Sequence, residues 1–175
     1  MENIKLVLPS MEYADEIIAY RKDFLEYGSS MDGCGALRRT DDPKAFVEEC
    51  KRYTKEETVP EGKVPATIFF CVRESDNRLV GMLQVRHRFN EYLEKYAGHI
   101  GYSIRPSERR KGYAKKMLSL ALPFCKGIGI NRVLIACIDG NIASERTILA
   151  NGGKYESTVY ESEENIYLKR FWIDL

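Results

Sequence analysis

The stretch IRPSERRKGYAKKML, from Ile104 to Leu118, carries six basic side chains around one glycine. The whole chain is nearly neutral, with 27 Lys and Arg residues against 26 Asp and Glu residues. This local excess of positive charge has three interpretations: a solvated helix face, a nucleic-acid patch, or a binding site for a small polyanion. The near-zero net charge argues against a general nucleic-acid binder, because such proteins present a broad basic surface.

The basic cluster lies where a predicted strand, HIGYSI, ends and a predicted helix begins near Gly112. Apolar residues recur at helical spacing from there to Cys125. The N-terminus of a helix leaves amide N–H groups without partners and adds partial positive charge, so it can bind an anion. Gly112 lets a ligand approach the backbone closely, while Arg109 and Lys111 add charge. Phosphate is the natural partner for this combination.

Working outward from this stretch, the sequence alternates strand and helix signals along its whole length. Ser10 is expected to cap a helix from Met11 to about Tyr27, and Pro43 is expected to open a second helix. Pro123 is expected to bend or shorten the helix that begins near Gly112. The predicted strands are IKLVLP, ATIFFCVRE, LVGMLQVRHRF, HIGYSI, RVLIACID, KYESTVYE and NIYLKRFWID, and NIASERTILANGG is a further short helix. The order β-α-α-β-β-β-α-β-α-β-β predicts an α/β fold with one mixed sheet covered by helices.

Length and composition predict one globular domain over residues 1–175, with 44% hydrophobic and 30% charged residues. The five cysteines include no C-x-x-C pair, which favours reduced thiols and a cytoplasmic location. The N-terminus has no long apolar core, and no apolar run approaches the ~18 residues that a membrane span needs. The two histidines, His87 and His99, form no metal-ligand cluster, so no metal is expected.

Two motifs carry a resemblance to a known family. The pattern Arg109-x-x-Gly112-x-Ala114, between a strand and a helix, resembles the acyl-CoA motif Q/R-x-x-G-x-G/A of the GNAT N-acetyltransferases. The stretch NIASERTILANGGKYE resembles a second landmark of that family, Asn-x-x-Ser near the start of the next helix. The element order along nearly all of the chain is also similar to that of the family. P-loop and dinucleotide-binding motifs do not fit, because "GKV" and "GIGINR" lack residues that those motifs require.

The resemblance implies a mixed, mostly antiparallel sheet whose central strands splay apart, flanked by helices, with acetyl-CoA in the gap. It implies that backbone amides hold the pyrophosphate, those of Arg110, Lys111, Gly112, Tyr113 and Ala114, with Arg109 beside them. It also implies that the pantetheine arm pairs with the backbone of Tyr102, Ser103 and Ile104, like an added strand. Asn141 and Ser144 would contact the arm from the other side. Lys115 and Lys116 are expected to face solvent.

The resemblance fails at the two positions where many members carry a catalytic acid and base. By spacing, the glutamate position is Ile100 and the tyrosine position is Ile148. The candidate substitutes are His99 as a proton relay and Tyr102 as a donor to sulfur, with His87 and Tyr155 as further candidates. A water chain without a dedicated base is an equal alternative. A backbone N–H of the splayed strand is the candidate donor to the oxyanion.

The resemblance implies an acetyl-CoA-dependent N-acetyltransferase in which a primary amine attacks the thioester directly, within a ternary complex. The alternative is a catalytically weak acetyl-CoA-binding sensor on the same fold. A third interpretation is a nucleic-acid binder that uses the cluster at 105–116. The acceptor is a small molecule or a protein amino group, and the loop GSSMDGCGALRRTDD is expected to select it. The sequence is compatible with a homodimer as well as a monomer.

Overall fold

The computed structural model describes residues 2–175, and its elements follow the order predicted from the sequence. Short 3-10 turns at Met11–Tyr13, Gly35–Arg38 and Pro106–Glu108, and one π-helical turn at Leu93–Ala97, lie between the main elements. The main elements are β1 (Ile4–Val7), α1 (Ala14–Tyr27), α2 (Pro43–Arg52), β2 (Ala66–Arg73), β3 (Arg78–Arg86), β4 (Ile100–Ile104), α3 (Tyr113–Gly127), β5 (Arg132–Ile138), α4 (Ile142–Leu149), β6 (Lys154–Glu161) and β7 (Ile166–Asp174).

The strands form two antiparallel sheets, in the order β1-β2-β3-β4 and β5-β7-β6. The sheets meet where β4 begins: Gly98 pairs with Ile135, and the His99 N–H donates to the Leu134 carbonyl oxygen at 2.7 Å. Past this point, within residues 2–175, no residue of β4 is paired with β5. The predicted α/β fold, with mostly antiparallel strands that splay apart at the centre and helices on the faces, is therefore confirmed. The difference is that the described strands form two antiparallel sheets and not one mixed sheet, because β4 and β5 separate after His99.

Helices cover both faces of the four-stranded sheet, and each face has its own apolar cluster. Successive side chains of a strand point to opposite faces, so β3 contributes Leu83 to one cluster and Met82 to the other. The cluster beneath α3 includes Val80, Leu83, Val85, Ile100, Met117, Leu118, Ile135 and Phe171. The cluster beneath α1 and α2 includes Ile17, Tyr20, Phe24, Phe46, Phe70 and Met82. Truncating one of the buried aromatic side chains to alanine would cost about 3–5 kcal/mol of stability.

The helix ends differ from the sequence expectation at two of three positions. Ser10 makes no capping hydrogen bond, because the chain first forms the 3-10 turn and α1 begins only at Ala14. Pro43 opens α2 as predicted, and the Asp42 carboxylate caps that helix by accepting from the Lys44 N–H at 2.8 Å. Helix α3 runs through Pro123 to Gly127, so of the two expected effects, bending and shortening, Pro123 does not cause shortening. Pro123 is exposed, so the backbone acceptor that it leaves without a helical partner can be solvated.

Candidate functional site

The backbone that enters α3 presents a run of amide donors. Within residues 2–175, none of the six consecutive N–H groups from Arg110 to Lys115 donates to a protein acceptor, and the first helical bond runs from the Lys116 N–H to the Gly112 oxygen. Arg110 and Gly112 have φ values of 64° and 83°. Residues in this left-handed conformation turn neighbouring N–H groups into a concave arrangement that suits an anion. The positive end of the helix dipole adds to the effect.

Buried ion pairs hold this turn in place. Glu108 is only 4% exposed, and its carboxylate binds Arg73 at 2.9 Å and Lys111 at 2.8 Å. Arg105, also 4% exposed, pairs with the carboxylates of Asp23 and Glu16 on α1. Two of the six cations in the opening stretch, Arg105 and Lys111, are therefore already paired within the protein. The positive character of the turn comes chiefly from its backbone amides and from the exposed cations around them.

Arg109, predicted to lie beside the phosphate, also has contacts inside the protein. Its Nε donates to the Ile104 carbonyl oxygen at 3.1 Å, and its Nη2 donates to Ser29 Oγ at 2.8 Å. The guanidinium lies over the rings of Phe24, at 5.6 Å, and Tyr27, at 5.2 Å. These contacts tie the end of β4 to the end of α1, so Arg109 positions the turn even without a ligand.

The edge of β4 that faces β5 is open from Ile100 to Ile104. Ser103 lies opposite Met82 of β3, and the Arg105 N–H donates to the Val80 oxygen. In an antiparallel ladder the backbone groups of alternate residues point to opposite sides. Those of Gly101 and Ser103 therefore bond β3, and those of Tyr102 and Ile104 point into the gap toward β5.

This geometry separates the three residues that the sequence assigned to the pantetheine arm. Tyr102 and Ile104 present backbone groups at the open edge, but Ser103 uses its own in the ladder with β3. The Ser103 side chain is buried on the other face, 3.1 Å from Tyr20 Oη and 3.3 Å from Cys34 Sγ. The structure thus places Ser103 under α1, away from the gap.

Tyr102 reaches across the gap to α4. Its hydroxyl lies 2.8 Å from Ser144 Oγ, and the Ser144 N–H donates to Asn141 Oδ1 at 3.1 Å. Asn141 caps α4, so the structure brings three of the predicted site residues together across the open edge. Burial raises the pKa of the Tyr102 phenol to about 12. The phenol is therefore protonated at neutral pH and can donate a hydrogen bond to a developing thiolate.

His99 lies at the junction of the two sheets. Its Nδ1 accepts from the Leu134 N–H at 3.0 Å, and its ring packs 4.1 Å from that of Phe89. The residue is 7% exposed, and burial together with the nearby Arg86 guanidinium lowers the pKa of its imidazole to about 4. A base with so low a pKa is a poor match for proton relay near neutral pH. The contacts of His99 are those of a structural histidine that joins β4 to β5.

The other candidates for proton transfer lie in different surroundings. Ile100, at the position of the usual glutamate base, and Ile148, at the position of the usual tyrosine acid, are 1% and 0% exposed in the core. His87 Nε2 lies 2.9 Å from Thr67 Oγ1, and burial lowers the pKa of the His87 imidazole. The Tyr155 hydroxyl is 2.9 Å from Thr158 Oγ1 on its own strand. Of the side chains that the sequence proposed for catalysis, Tyr102 is the one whose polar atom lies at the gap.

A cavity of about 330 Å³ lies on the face of β2 and β3 that α2 covers. Its walls come from α2, the strands, the π-helical segment and the loop between α1 and α2. Sequence reasoning identified that loop, but it missed Lys63, Arg86 and Tyr92, which also line the cavity. The available signal was Arg86, a charged side chain on the same face of its strand as the buried Met82.

Gly33 brings the loop between α1 and α2 onto β4. Gly33 has a φ of 73°, and a Cβ at this position would lie 2.2 Å from the Gly101 carbonyl oxygen. Two glycines therefore let the two backbones touch. Arg86 Nη2 also lies close to β4, 3.4 Å from the position that a Cβ on Gly101 would occupy. The cavity thus ends beside the strand whose other side is the open edge.

No group of three His, Cys, Asp or Glu residues between residues 2 and 175 is arranged to hold a metal ion. In the same part of the chain, the helices are all too short or too polar to cross a membrane.

A sequence model described as "Acetyltransferase (GNAT) family" matches residues 32–151, more than half of the chain. A search of curated proteins found no match.

Similar solved structures cover nearly the whole chain. One, from Vibrio cholerae, is a putative ribosomal-protein-serine acetyltransferase; it is 20% identical, with a TM-score of 0.67 over 100% of this chain and 95% of that chain. A microcin C7 self-immunity acetyltransferase, solved with acetyl-CoA and AMP, is 20% identical, with a TM-score of 0.72 over 100% and 94%. A ribosomal-protein-S5-alanine acetyltransferase from Vibrio fischeri is 16% identical, with a TM-score of 0.72 over 99% and 94%. At these identities the likeness shows the fold.

Proposed function

The chain belongs to the acetyltransferase (GNAT) family, and we propose that it moves an acetyl group from acetyl-CoA to a primary amine. We propose that residues 1–175 form one acyltransferase domain. The observation that carries the proposal is the run of six unpaired amides from Arg110 to Lys115 beside the open edge of β4. The amide run suits a pyrophosphate, and the open strand edge suits an extended chain that contains amide groups. Acetyl-CoA contains both of these groups.

The binding role of each residue follows from the site geometry. The amides of Arg110 to Lys115, with Gly112 at their centre, donate to the pyrophosphate. The backbone groups of Tyr102 and Ile104 pair with the pantetheine amides, as an added strand would. Asn141 and Ser144 border the arm on the α4 side. Arg109 holds this arrangement together by donating to the Ile104 carbonyl oxygen, and its guanidinium adds positive charge beside the pyrophosphate.

In the proposed reaction the amine attacks the thioester carbon directly, so no acyl group passes through the protein. The five cysteines suit this route, because all are buried and burial raises the pKa of each thiol, to about 11 or 12. A backbone N–H at the open edge of β4 stabilises the oxyanion. The Tyr102 hydroxyl donates a hydrogen bond to the departing thiolate sulfur. Water accepts the amine proton, since His99 is bonded to the backbone and no carboxylate replaces Ile100.

Similar solved structures support acetyl-CoA as the donor. One relative was solved with acetyl-CoA and AMP, and another is described as a ribosomal L7/L12 protein acetyltransferase in complex with coenzyme A. The missing catalytic carboxylate supports a second candidate, a sensor that binds acetyl-CoA and turns it over slowly.

One assay separates the two candidates. Release of free thiol from acetyl-CoA is followed with a panel of primary amines, each compared with the rate without amine. The transferase predicts thiol release that depends on the amine and saturates with it. The sensor predicts that desulfo-CoA raises the melting temperature by mass action while no amine accelerates thiol release. A folded protein that neither binds desulfo-CoA nor releases thiol would contradict both candidates.

A further inference from the structure

The cavity of about 330 Å³ has an unusual balance of charge. Four basic side chains line it, those of Arg38, Arg39, Lys63 and Arg86. Within residues 2–175, none of the four lies within 4.0 Å of a carboxylate oxygen. The one acidic residue in the lining is Glu49, which pairs with Arg52 at 3.5 Å. The cavity is therefore lined by four cations that have no carboxylate at ion-pair distance among the described residues, and three of them, Arg38, Arg39 and Lys63, are exposed to solvent.

Arg86 shows the imbalance most clearly. Its guanidinium donates from Nη1 to the Gly98 carbonyl oxygen at 3.1 Å, which is its one protein partner among the described residues. Burial, and then repulsion from Arg38, lowers the pKa of this guanidinium to about 10, and the Asp32 carboxylate offsets only part of this effect. A partly buried guanidinium with a single neutral partner gains free energy when an anion binds, because charge-assisted hydrogen bonds replace lost solvation.

The position of Arg86 connects the cavity to the proposed acetyl site. Arg86 lies against Gly101, and the next residue, Tyr102, presents its backbone at the open edge of β4. A ligand held by Arg86 therefore lies beside β4, the strand whose open edge is the proposed acetyl-CoA site. An amine on the same ligand can reach that site if the ligand spans β4.

We propose that the acceptor is a small primary amine that also carries an anionic group, a carboxylate or a phosphate, bound by Arg86 and Arg38. This inference rests on the proposed acetyl transfer and names its acceptor class. The volume of the cavity is at the lower end of the range for small-molecule sites and suits a ligand of amino-acid size. Val64, Ile68 and Leu93 give the cavity apolar walls, which accommodate a side chain beside the anion.

The test compares acceptors that differ only in the anion. The common L-amino acids are assayed against their carboxamides, and phosphoethanolamine against ethanolamine, by thiol release from acetyl-CoA. We expect the anionic member of the preferred pair to be at least about 10-fold better in kcat/KM. The two kinds of pair also distinguish a carboxylate site from a phosphate site. A carboxamide lowers the pKa of its own amine, so amine reactivity alone would favour the neutral member.

Variants locate the anion. Arg38→Gln changes an exposed side chain, and Arg86→Gln keeps a donor for the Gly98 oxygen. Each should raise KM for the anionic acceptor by about 10- to 100-fold, the effect of losing one charge-assisted hydrogen bond. The KM of the neutral member should change little. Arg88→Gln is the control, because Arg88 lies just past the end of β3, is exposed and pairs with Glu56, and neither residue lines the cavity.

Each outcome decides the proposal. Equal use of anionic and neutral acceptors, or turnover confined to peptides, would overturn it while leaving acetyl transfer intact. If no amine is acetylated, the acetyl-transfer proposal fails, and calorimetry with the amino acids and phosphoethanolamine then decides the anion site. Binding by the native chain that Arg86→Gln abolishes would support the site. Absence of binding by both classes of anion would overturn it.

Discussion

Replacing Gly112 with aspartate tests whether the backbone amides at the start of α3 form the phosphate site. Gly112 lies at the centre of the six amides from Arg110 to Lys115, which have no protein partner among the described residues. The Cβ of an aspartate there would block close approach of a ligand to the backbone, and its carboxylate would repel the pyrophosphate.

The expected loss is large for the ligand and small for the fold. Two charge-assisted hydrogen bonds are worth about 3–6 kcal/mol together, which corresponds to about 10²- to 10⁴-fold weaker binding of desulfo-CoA. Gly112 has a φ of 83°, so aspartate there costs about 1–2 kcal/mol of stability. The folded population should therefore persist.

Lys116→Gln is the matched control, because it lowers the net charge by one unit, as Gly112→Asp does. Lys116 lies one turn further along α3 with an exposed side chain. Calorimetric titration with desulfo-CoA at low and high salt measures both variants, and circular dichroism verifies that they are folded. The control should weaken binding only slightly, and less at high salt. Equal and small losses in the two variants would refute the role of the backbone amides and point to a diffuse positive field.

Three further predictions concern neighbouring positions. Tyr102→Phe should lower kcat by about 10- to 100-fold without changing the Kd of desulfo-CoA. An unchanged kcat would show that the Tyr102 hydroxyl takes no part in the reaction and serves only to contact Ser144. The pKa of His99 is about 4 in the folded chain and 6.5 in the unfolded chain. Between these values the imidazole is protonated mainly in the unfolded chain, so stability falls as the pH drops from 6.5 to 4. Urea titrations should show that the free energy of unfolding falls by up to about 3 kcal/mol over this pH window, and that the fall is smaller in His99→Gln. The turnover of this variant should stay near that of the native protein. If the variant instead loses the lower limb of the pH–rate profile, His99 is the proton relay. Gly33→Ala should destabilise the fold by about 2 kcal/mol more than Gly28→Ala, because both glycines have positive φ but only at Gly33 would the new Cβ meet backbone; equal urea midpoints would contradict the close approach of the loop to β4.

Much of the fold could be read from local sequence pattern. Alternation along β3 placed Met82, Gln84 and Arg86 on one face, and helical spacing after Gly112 predicted α3. Pro43 marked the start of α2. These signals are local, because side-chain direction in a strand and the backbone freedom of proline depend on neighbouring residues. That the first N–H groups of α3 lack helical partners followed from the same logic. The family resemblance named the amides of Arg110 to Ala114, and the structure adds that of Lys115.

Tertiary structure decided which polar groups are available. The sequence could not show that Arg105 is paired with Glu16 and Asp23 or that Ser103 bonds β3, because the partners of Arg105 are far apart from it in the chain and those of Ser103 are set by strand register. It proposed His99 as a proton relay, but burial beside Arg86 gives that imidazole its low pKa. Sequence pattern therefore determined the elements and the start of α3. Long-range packing determined which charges are compensated and which, like Arg86, face a cavity, because desolvation and ion pairing depend on every element that covers a residue.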